Sequence, residues 1–213
     1  GAAWGDFDGD GDIDLFVGSR DVAGKYGVTP RSHLLRNDGK GQFTDVTDEV
    51  APGLAEAGMV TSAAWVARAG TKALDLIVVG EWMPVRVFRQ ENGRFVDRTV
   101  EAGLAKTEGW WNSVMSGDLD GDGRPDLVLG NLGLNSYLTA SPNEPARLYV
   151  SDFARNGTLQ QILTSYRHGV SYPVAGRDEL VRQIPSLRTK FPTYASFGAS
   201  RWYSWYLAKP GCA

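Results

Sequence analysis

Aspartates stand at alternate positions in Asp6-Phe7-Asp8-Gly9-Asp10-Gly11-Asp12-Ile13-Asp14, and the apolar run Leu15-Phe16-Val17 and Gly18 follow at once. Carboxylates packed this closely repel one another unless a cation lies among them. Calcium, a hard ion that takes 6–8 oxygen ligands, suits the side chains of Asp6, Asp8, Asp10 and Asp14 together with the backbone carbonyl of Asp12. Gly9 and Gly11 give the chain the conformational freedom to wrap around one centre. An EF-hand begins in the same way but requires a bidentate Glu at its twelfth position and a flanking helix on each side. Here the twelfth position is Val17, and the residues after Asp14 read as a strand.

The frame returns at Asp118-Leu119-Asp120-Gly121-Asp122-Gly123-Arg124-Pro125-Asp126, again followed by an apolar triplet and a glycine, Leu127-Val128-Leu129-Gly130. Asp118, Asp120, Asp122 and Asp126 would supply side chains and Arg124 its carbonyl. Turn chemistry alone needs one or two Asp or Gly residues, so two calcium sites are expected.

The same offsets expose a middle copy in which Ala67, Ala69 and Thr71 replace the ligands, Lys72 stands in place of a glycine, and only Asp75 survives. This copy should keep the fold and lack the metal, with Lys72 bringing a positive charge beside it. A fourth frame, Asp152 to Gln160, has Ala154 and Gln160 at the third and ninth positions. Asp152, Asn156, Gln160 and the carbonyl of Thr158 make it a candidate for a weaker third calcium site.

The elements that position these loops follow from the residues between them. Leu34 to Thr47 resembles Val87 to Thr99, each reading as strand, turn, strand around Asn37-Asp38-Gly39 or Asn92-Gly93. Each unit is therefore about four strands: one entering the loop, one leaving it, and a hairpin. Ala-Gly-Leu-type connectors, Pro52-Gly53-Leu54-Ala55 and Ala102-Gly103-Leu104-Ala105, lead to the next unit. A period of about fifty to sixty residues with four strands per unit predicts an all-β chain, a partial β-propeller of about three to four blades. We assign residues 1–175 to these blades in an incomplete ring. Residues 176–199 read as a helical insertion or end segment. Its apolar spacing runs over Leu180, Val181, Ile184, Leu187 and Phe191, with Asp178 as N-cap and Pro185 as a break. Residues 200–213 form an aromatic tail that repeats nothing upstream.

The loops and their surroundings resemble FG-GAP or VCBS repeat proteins, whose blades are similar to those of the integrin α-subunit propeller. The resemblance narrows to ASPIC and UnbV-like bacterial proteins through Leu34-Leu35-Arg36-Asn37-Asp38-Gly39, Gly80-Glu81-Trp82-Met83-Pro84-Val85 and Gly130-Asn131-Leu132-Gly133-Leu134-Asn135. It implies calcium-bearing blades and a place outside the cytoplasm, on a secreted, periplasmic or cell-surface protein.

Composition excludes other classes. The net charge of −3 carries no clustered basic face, which argues against nucleic acid. No apolar run reaches the 18 residues that a membrane-spanning helix requires. Cys212 is the only cysteine, so no intrachain disulfide can form. The opening residues Gly1-Ala2-Ala3-Trp4 read as the middle of a strand, which points to a fragment of a longer polypeptide.

Catalysis finds little support. The loop aspartates would be ionised and shared by a metal, whereas glycoside chemistry requires one acid kept protonated. Glu81 and Glu108 read as isolated surface or hairpin acids, and His33 and His168 as turn or strand-edge histidines. Trp4 and Trp65 share a repeat position and are expected in blade cores. Trp110 and Trp111, between units, are candidate contacts for a ligand. The expectation is a non-enzymatic calcium-binding module that engages a protein or glycan, its calcium structural. Further blades of the same polypeptide are expected as partners, and the alternative is a scaffold or accessory part of a polysaccharide-degrading enzyme.

Overall fold

The first aspartate loop is the turn of a hairpin. β1 (Ala2–Gly5) enters it and β2 (Asp14–Val17) leaves it, with Gly5 opposite Asp14 and Ala2 opposite Val17. In this computed structural model, which describes residues 1–133 and 136–199, β3 (His33–Asn37) and β4 (Phe43–Asp45) complete an antiparallel sheet in the order β1-β2-β3-β4. This is one blade. The short helices α1 (Thr47–Val50) and α2 (Pro52–Ala55) connect it to the next.

The second blade repeats the plan with β5 (Met59–Ala67), β6 (Leu74–Met83), β7 (Arg86–Glu91) and β8 (Arg94–Asp97). Its hairpin turns at Asn92 and Gly93, both at positive φ (51° and 78°), the backbone that a two-residue type I′ turn requires. The third repeat then departs from the four-strand expectation. It supplies β9 (Gly109–Gly117) and β10 (Asp126–Asn131), and β9 bonds directly to β6 through Glu81–Trp110 and Met83–Gly109, with a bulge between Glu81 and Met83. β6 can reach β9 because it extends beyond its own blade, so the second and third repeats share one six-stranded sheet.

Burial follows the alternation of strands. On β6, Leu76 and Val78 face a cluster containing Ala3, Phe7, Phe16 and Leu34 of the first blade, while Ile77 and Val79 face Val114 and the partly buried Trp111, Leu127 and Leu129. β6 is thus apolar on both sides, as a strand between two packed layers must be. Trp65 is stacked on Phe7 at 6.3 Å and donates Nε1–H to the Ala3 carbonyl at 3.1 Å. Its counterpart Trp4, also expected in the core, is instead 61% exposed and meets Phe43 edge-on at 6.2 Å. The blade face that carries Trp65 is covered by the first blade; the face that carries Trp4 has no blade against it among the described residues.

The chain divides into two units, Gly1–Gly24 with Val28–Gly133 as the first, and residues 25–27 with the described chain beyond 135 as the second. Within the second, β11 (Arg147–Ser151), β12 (Gln160–Arg167) and β13 (Val170–Pro173) form a three-stranded antiparallel sheet. Ile162 of β12 occupies the repeat position of Phe16, yet helices cover it. Leu180 and Val181 of α3 (Arg177–Gln183), Ile184, Leu187 of α4 (Leu187–Lys190) and Phe191 bury it completely. The expected helix and its break at Pro185 are present, but the N-cap is Gly176 rather than Asp178. Asp178 lies in the first turn, its carboxylate engaged by Arg177 and by the Tyr194 hydroxyl. A last helix, α5 (Tyr194–Gly198), is capped by a reciprocal Thr193–Ser196 pair. The aromatic tail 200–213, with Cys212, and the motif residues Leu134 and Asn135 lie outside the described residues.

Candidate metal centres

The first loop folds around its own carboxylates. Asp6 accepts from Gly9 N at 2.7 Å and from Gly11 N at 3.1 Å, and Asp10 accepts from Asp12 N at 2.9 Å. Gly9 and Gly11 take φ of 79° and 96°, a region that suits glycine. A Cβ at either would meet nothing, so backbone conformation and not space selects glycine there. Asp14, at the head of β2, is fully buried; one oxygen accepts from Phe7 N at 3.0 Å and the other from Asn37 N at 2.9 Å. Burial pushes the Asp14 carboxyl above its ordinary value, two backbone N–H groups pull it down, and the like charges of Asp8 and Asp10 push it up again.

The loop brings one carboxylate oxygen from each of Asp6, Asp8 and Asp14 within 4.8 Å of the others. Calcium–oxygen distances run about 2.3–2.6 Å, so three atoms this close can all touch one ion. The set is oxygen only, with no imidazole or thiolate, which matches a hard cation. These residues therefore fit a calcium ion. Asp10 is outside that trio. The carboxylate of Asp12, expected to contribute only its carbonyl, turns toward the β3–β4 hairpin, where a Cβ on Gly39 would come within 2.4 Å of it. Arg36 Nε lies 2.9 Å from Asp8 Oδ2 as a charge contact without hydrogen-bond alignment, its guanidinium over the Phe7 ring.

The third repeat reproduces this bonding closely. Asp118 accepts from Gly121 N at 2.8 Å and from Gly123 N at 3.0 Å, Asp122 accepts from Arg124 N at 2.8 Å, and Asp126 accepts from Leu119 N at 2.9 Å. Asp118, Asp120 and Asp126 form a second trio within the same 4.8 Å. Asp122 stands apart, as Asp10 does. The Arg124 side chain bonds to it and is the first cause holding its carboxyl below the usual range.

The middle copy lacks these carboxylates, and the cation beside Asp75 comes from an unexpected residue. Arg68, at the frame position of Phe7 and Leu119, places a terminal nitrogen 2.5 Å from Asp75 Oδ1 and donates to the Gln90 carbonyl at 3.2 Å. Arg89 Nε reaches Asp75 Oδ2 at 3.3 Å. The charge expected from Lys72 is thus supplied by Arg68, whose signal in the sequence is that only this copy has a cation at the second frame position.

In the fourth loop Asp152 accepts from Asn156 N and Gly157 N at 2.9 and 2.8 Å, and Thr158 N donates to Asn156 Oδ1 at 3.0 Å. Gln160, in the place of Asp14, accepts from Ala154 N but turns its amide N–H toward Thr158 O and Oγ1, both at 3.0 Å. The carbonyl expected to ligate a weak calcium ion already accepts a protein donor.

Elsewhere the structure rearranges the remaining candidates. Trp110 and Trp111 do not share a surface, because neighbours on a strand point to opposite faces. Trp111 packs into the core around Ile77 and donates Nε1–H to Thr107 O at 2.9 Å, whereas Trp110 pairs with Trp82 at 5.3 Å. Glu81, expected at the surface, is 3% exposed and bonded to Arg20 at 2.8 Å. His33 is a satisfied strand-edge histidine, Nδ1 being 2.7 Å from Asp45.

Among protein families, the FG-GAP-like repeat matches residues 2–66 and 70–129, more than half of the chain. No curated protein is matched. The first stretch holds the first blade with its intact loop and ends just before the plugged loop, Arg68 lies in the gap between the two, and the second stretch runs from Gly70 through the second intact loop to Leu129. With its blades and repeated aspartate turns, this chain belongs to the FG-GAP-like repeat family.

Proposed function

We propose that the chain is a calcium-binding, non-enzymatic propeller module of a secreted or cell-surface protein, one that mediates contact with a protein or glycan. The single observation that carries this is the repeated trio, Asp6-Asp8-Asp14 and Asp118-Asp120-Asp126, built with matching backbone bonds in two blades. Calcium is the favoured ion because the donors are all oxygen and the loops are flexible glycine turns, which suit its variable coordination better than the strict octahedron of magnesium. When bound, it supplies positive charge; the chain's own residues hold the strand ends in register around it. The role is structural: Asp14 and Asp126 begin the exit strands, and Asp6 and Asp118 follow directly on the entry strands.

A place outside the cytoplasm agrees with sites of this type, which commonly bind at about 10⁻⁴–10⁻³ M and so fill where calcium is millimolar. FG-GAP repeats are typical of such proteins. The finer likeness to ASPIC and UnbV-like proteins and to the integrin propeller rests on the motifs quoted above. Further blades as partners are supported by exposed apolar residues: Trp4, Met115, Leu119 and Val128 are exposed, whereas Trp65, Ala3, Phe7 and Phe16 at equivalent positions pack against a neighbouring blade.

The test is calorimetric titration of calcium into the chain and into its Asp14→Ala and Asp126→Ala variants. Two sites are expected, each lost with its own substitution. Heat from zinc or magnesium with none from calcium would overturn the proposal.

A further inference from the structure

The segments that leave the exit strands of the three repeats come together in the first unit. Arg20 follows β2, Glu81 and Trp82 end β6, and Asn131 ends β10. Arg20 Nε donates to Glu81 Oε1 at 2.8 Å, Glu81 is the register partner of Trp110, and the amide of Asn131 lies over Gly109, where a Cβ would come within 2.6 Å of it. The calcium loops lie at the opposite ends of these strands, so the cluster is a separate feature of the blades.

Trp82 is the strained member. Its φ is +60°, a conformation that bulky L residues avoid, and it sits in the bulge between Glu81 and Met83. Such a bulge re-aims a side chain, and strain of this kind gathers where binding or chemistry needs it. The result is that the Trp82 indole meets that of Trp110 at 5.3 Å between centroids with 44° between planes, each ring half-buried. The rings are too close to enclose a ligand between them. They form instead one broad apolar shelf.

The polar groups beside that shelf select its ligand. Glu81 is buried and neutralised by Arg20, whose side chain is 56% exposed, and Asn131 is exposed. The Arg20–Glu81 pair therefore adds no net charge of its own to the corner. The corner offers the guanidinium N–H groups that Glu81 does not take and the Asn131 amide, whose oxygen also accepts from Gly133 N at 2.9 Å. An apolar shelf beside donors and acceptors of fixed direction matches a pyranose ring, which has a C–H face and a rim of neighbouring hydroxyls.

We infer that Trp82 and Trp110, flanked by Arg20, Glu81 and Asn131, form a binding site for a neutral glycan, the sugar face lying on the indoles and its hydroxyls on the guanidinium and amide. This rests on the reading of the chain as a binding module and names its ligand class.

The test is native electrophoresis of the full chain, loaded with calcium, through gels containing xylan, mixed-linkage β-glucan or galactomannan, with polygalacturonate as the charged comparison. At least one neutral polysaccharide is expected to retard it, and Trp110→Ala and Trp82→Gly to weaken that binding at least tenfold. Glycine accepts the backbone conformation at position 82 without strain, so Trp82→Gly keeps the fold and reads the shelf alone. Its circular dichroism should match that of the parent chain. Retardation by polygalacturonate alone, by no polysaccharide, or undiminished in Trp82→Gly would overturn the inference. Calcium titration of the same preparations separates the two readings. Two calcium sites without retardation reject the glycan site only, and retardation without calcium heat rejects the calcium reading only.

Discussion

The first and second aspartate loops occupy the same place in successive blades and solve one electrostatic problem in two ways. In the first, buried Asp14 faces Asp6 and Asp8, Arg36 reaches only Asp8, and the rest of the balancing charge must come from outside. In the second, Asp75 faces Arg68 and Arg89, and the balancing charge is built in. The flanking strands are alike: Gly5 pairs with Asp14 in one blade and Val66 with Asp75 in the other. The hairpin thus needs a cation against the carboxylate that begins its exit strand, and an ion or a guanidinium serves. An internal arginine makes the blade independent of solution conditions, while an ion makes it responsive to them.

The largest expected effect breaks the comparison open by removing the ion. A ligand that binds only the folded state at a hundred times its dissociation constant adds about 2.7 kcal/mol per site. Two sites would therefore raise the unfolding midpoint by on the order of 10 °C. Thermal unfolding in calcium and in a chelator should differ by that amount in the parent chain and by almost nothing in the double variant Asp14→Ala, Asp126→Ala. Equal midpoints in the parent would remove any structural role for calcium.

A smaller effect of opposite character belongs to the plugged loop. Asp75→Ala strands Arg68 and Arg89 without their carboxylate. Hydrogen bonds to charged groups are worth about 1.5–3 kcal/mol, and the partial exposure of both arginines places the loss toward the lower end. The decrease in stability should be the same with and without chelator. A chelator-dependent decrease would mean that this loop also holds an ion.

The comparison can be sharpened by converting one solution into the other. Ala67→Asp, Ala69→Asp and Thr71→Asp, with Arg68→Ala and Lys72→Gly, rebuild the ligand frame in the second blade. Calorimetry should then show a third calcium site, and the variant should be less stable than the parent in chelator. With Arg68 left in place, the guanidinium competes for Asp75 and the added site should be at least several-fold weaker.

How much of this could be read from the chain depends on how local each feature is. The aspartate frames, the apolar runs that follow the two intact ones and the Asn-Gly hairpins are written in consecutive residues, and the blades and loops follow from them. What failed to show depends on partners distant in sequence. Arg68 can be recognised as a plug only once Asp75 and the Gln90 carbonyl are seen to converge on it. Trp4 and Trp65 are indistinguishable by position, because burial is decided by whether a neighbouring blade covers their face. Glu81 reads as a surface acid because its partner Arg20 is 61 residues away. Asp178 looks like a cap because the Tyr194 hydroxyl that engages it lies a helix and a turn beyond.

The smallest expected effect concerns a second repeated device, which lies away from the cation sites and so tests whether pH acts on the blades separately from calcium. At the end of each hairpin an Asp-x-Thr turn closes the blade: the Thr47 hydroxyl and N–H bond to Asp45, and those of Thr99 bond to Asp97. Each threonine oxygen in turn accepts a strand N–H, from Leu34 at 2.8 Å and from Val87 at 3.2 Å. Burial raises the Asp45 carboxyl, but Thr47 and His33 outweigh it and hold it at about 2, and Asp97 is also held below its ordinary value once Arg86 and Thr99 outweigh its burial. A carboxylate depressed in the folded state stabilises it above the unfolded pKa of about 3.9, and that contribution disappears as pH falls through the folded value. The stability from Asp45 should therefore be complete at neutral pH and drain away between about pH 4 and pH 2. Asp45 is 41% exposed at its side chain, so solvent screens the interaction and the slope should be shallow. Unfolding of protein freed of calcium beforehand takes the bound ion out of the comparison, and Asp45→Asn should flatten the curve within that window while leaving the midpoint at pH 7 lowered. A parallel displacement of the whole curve, with its slope below pH 4 intact, would show that the acid sensitivity of the blade lies in other carboxylates.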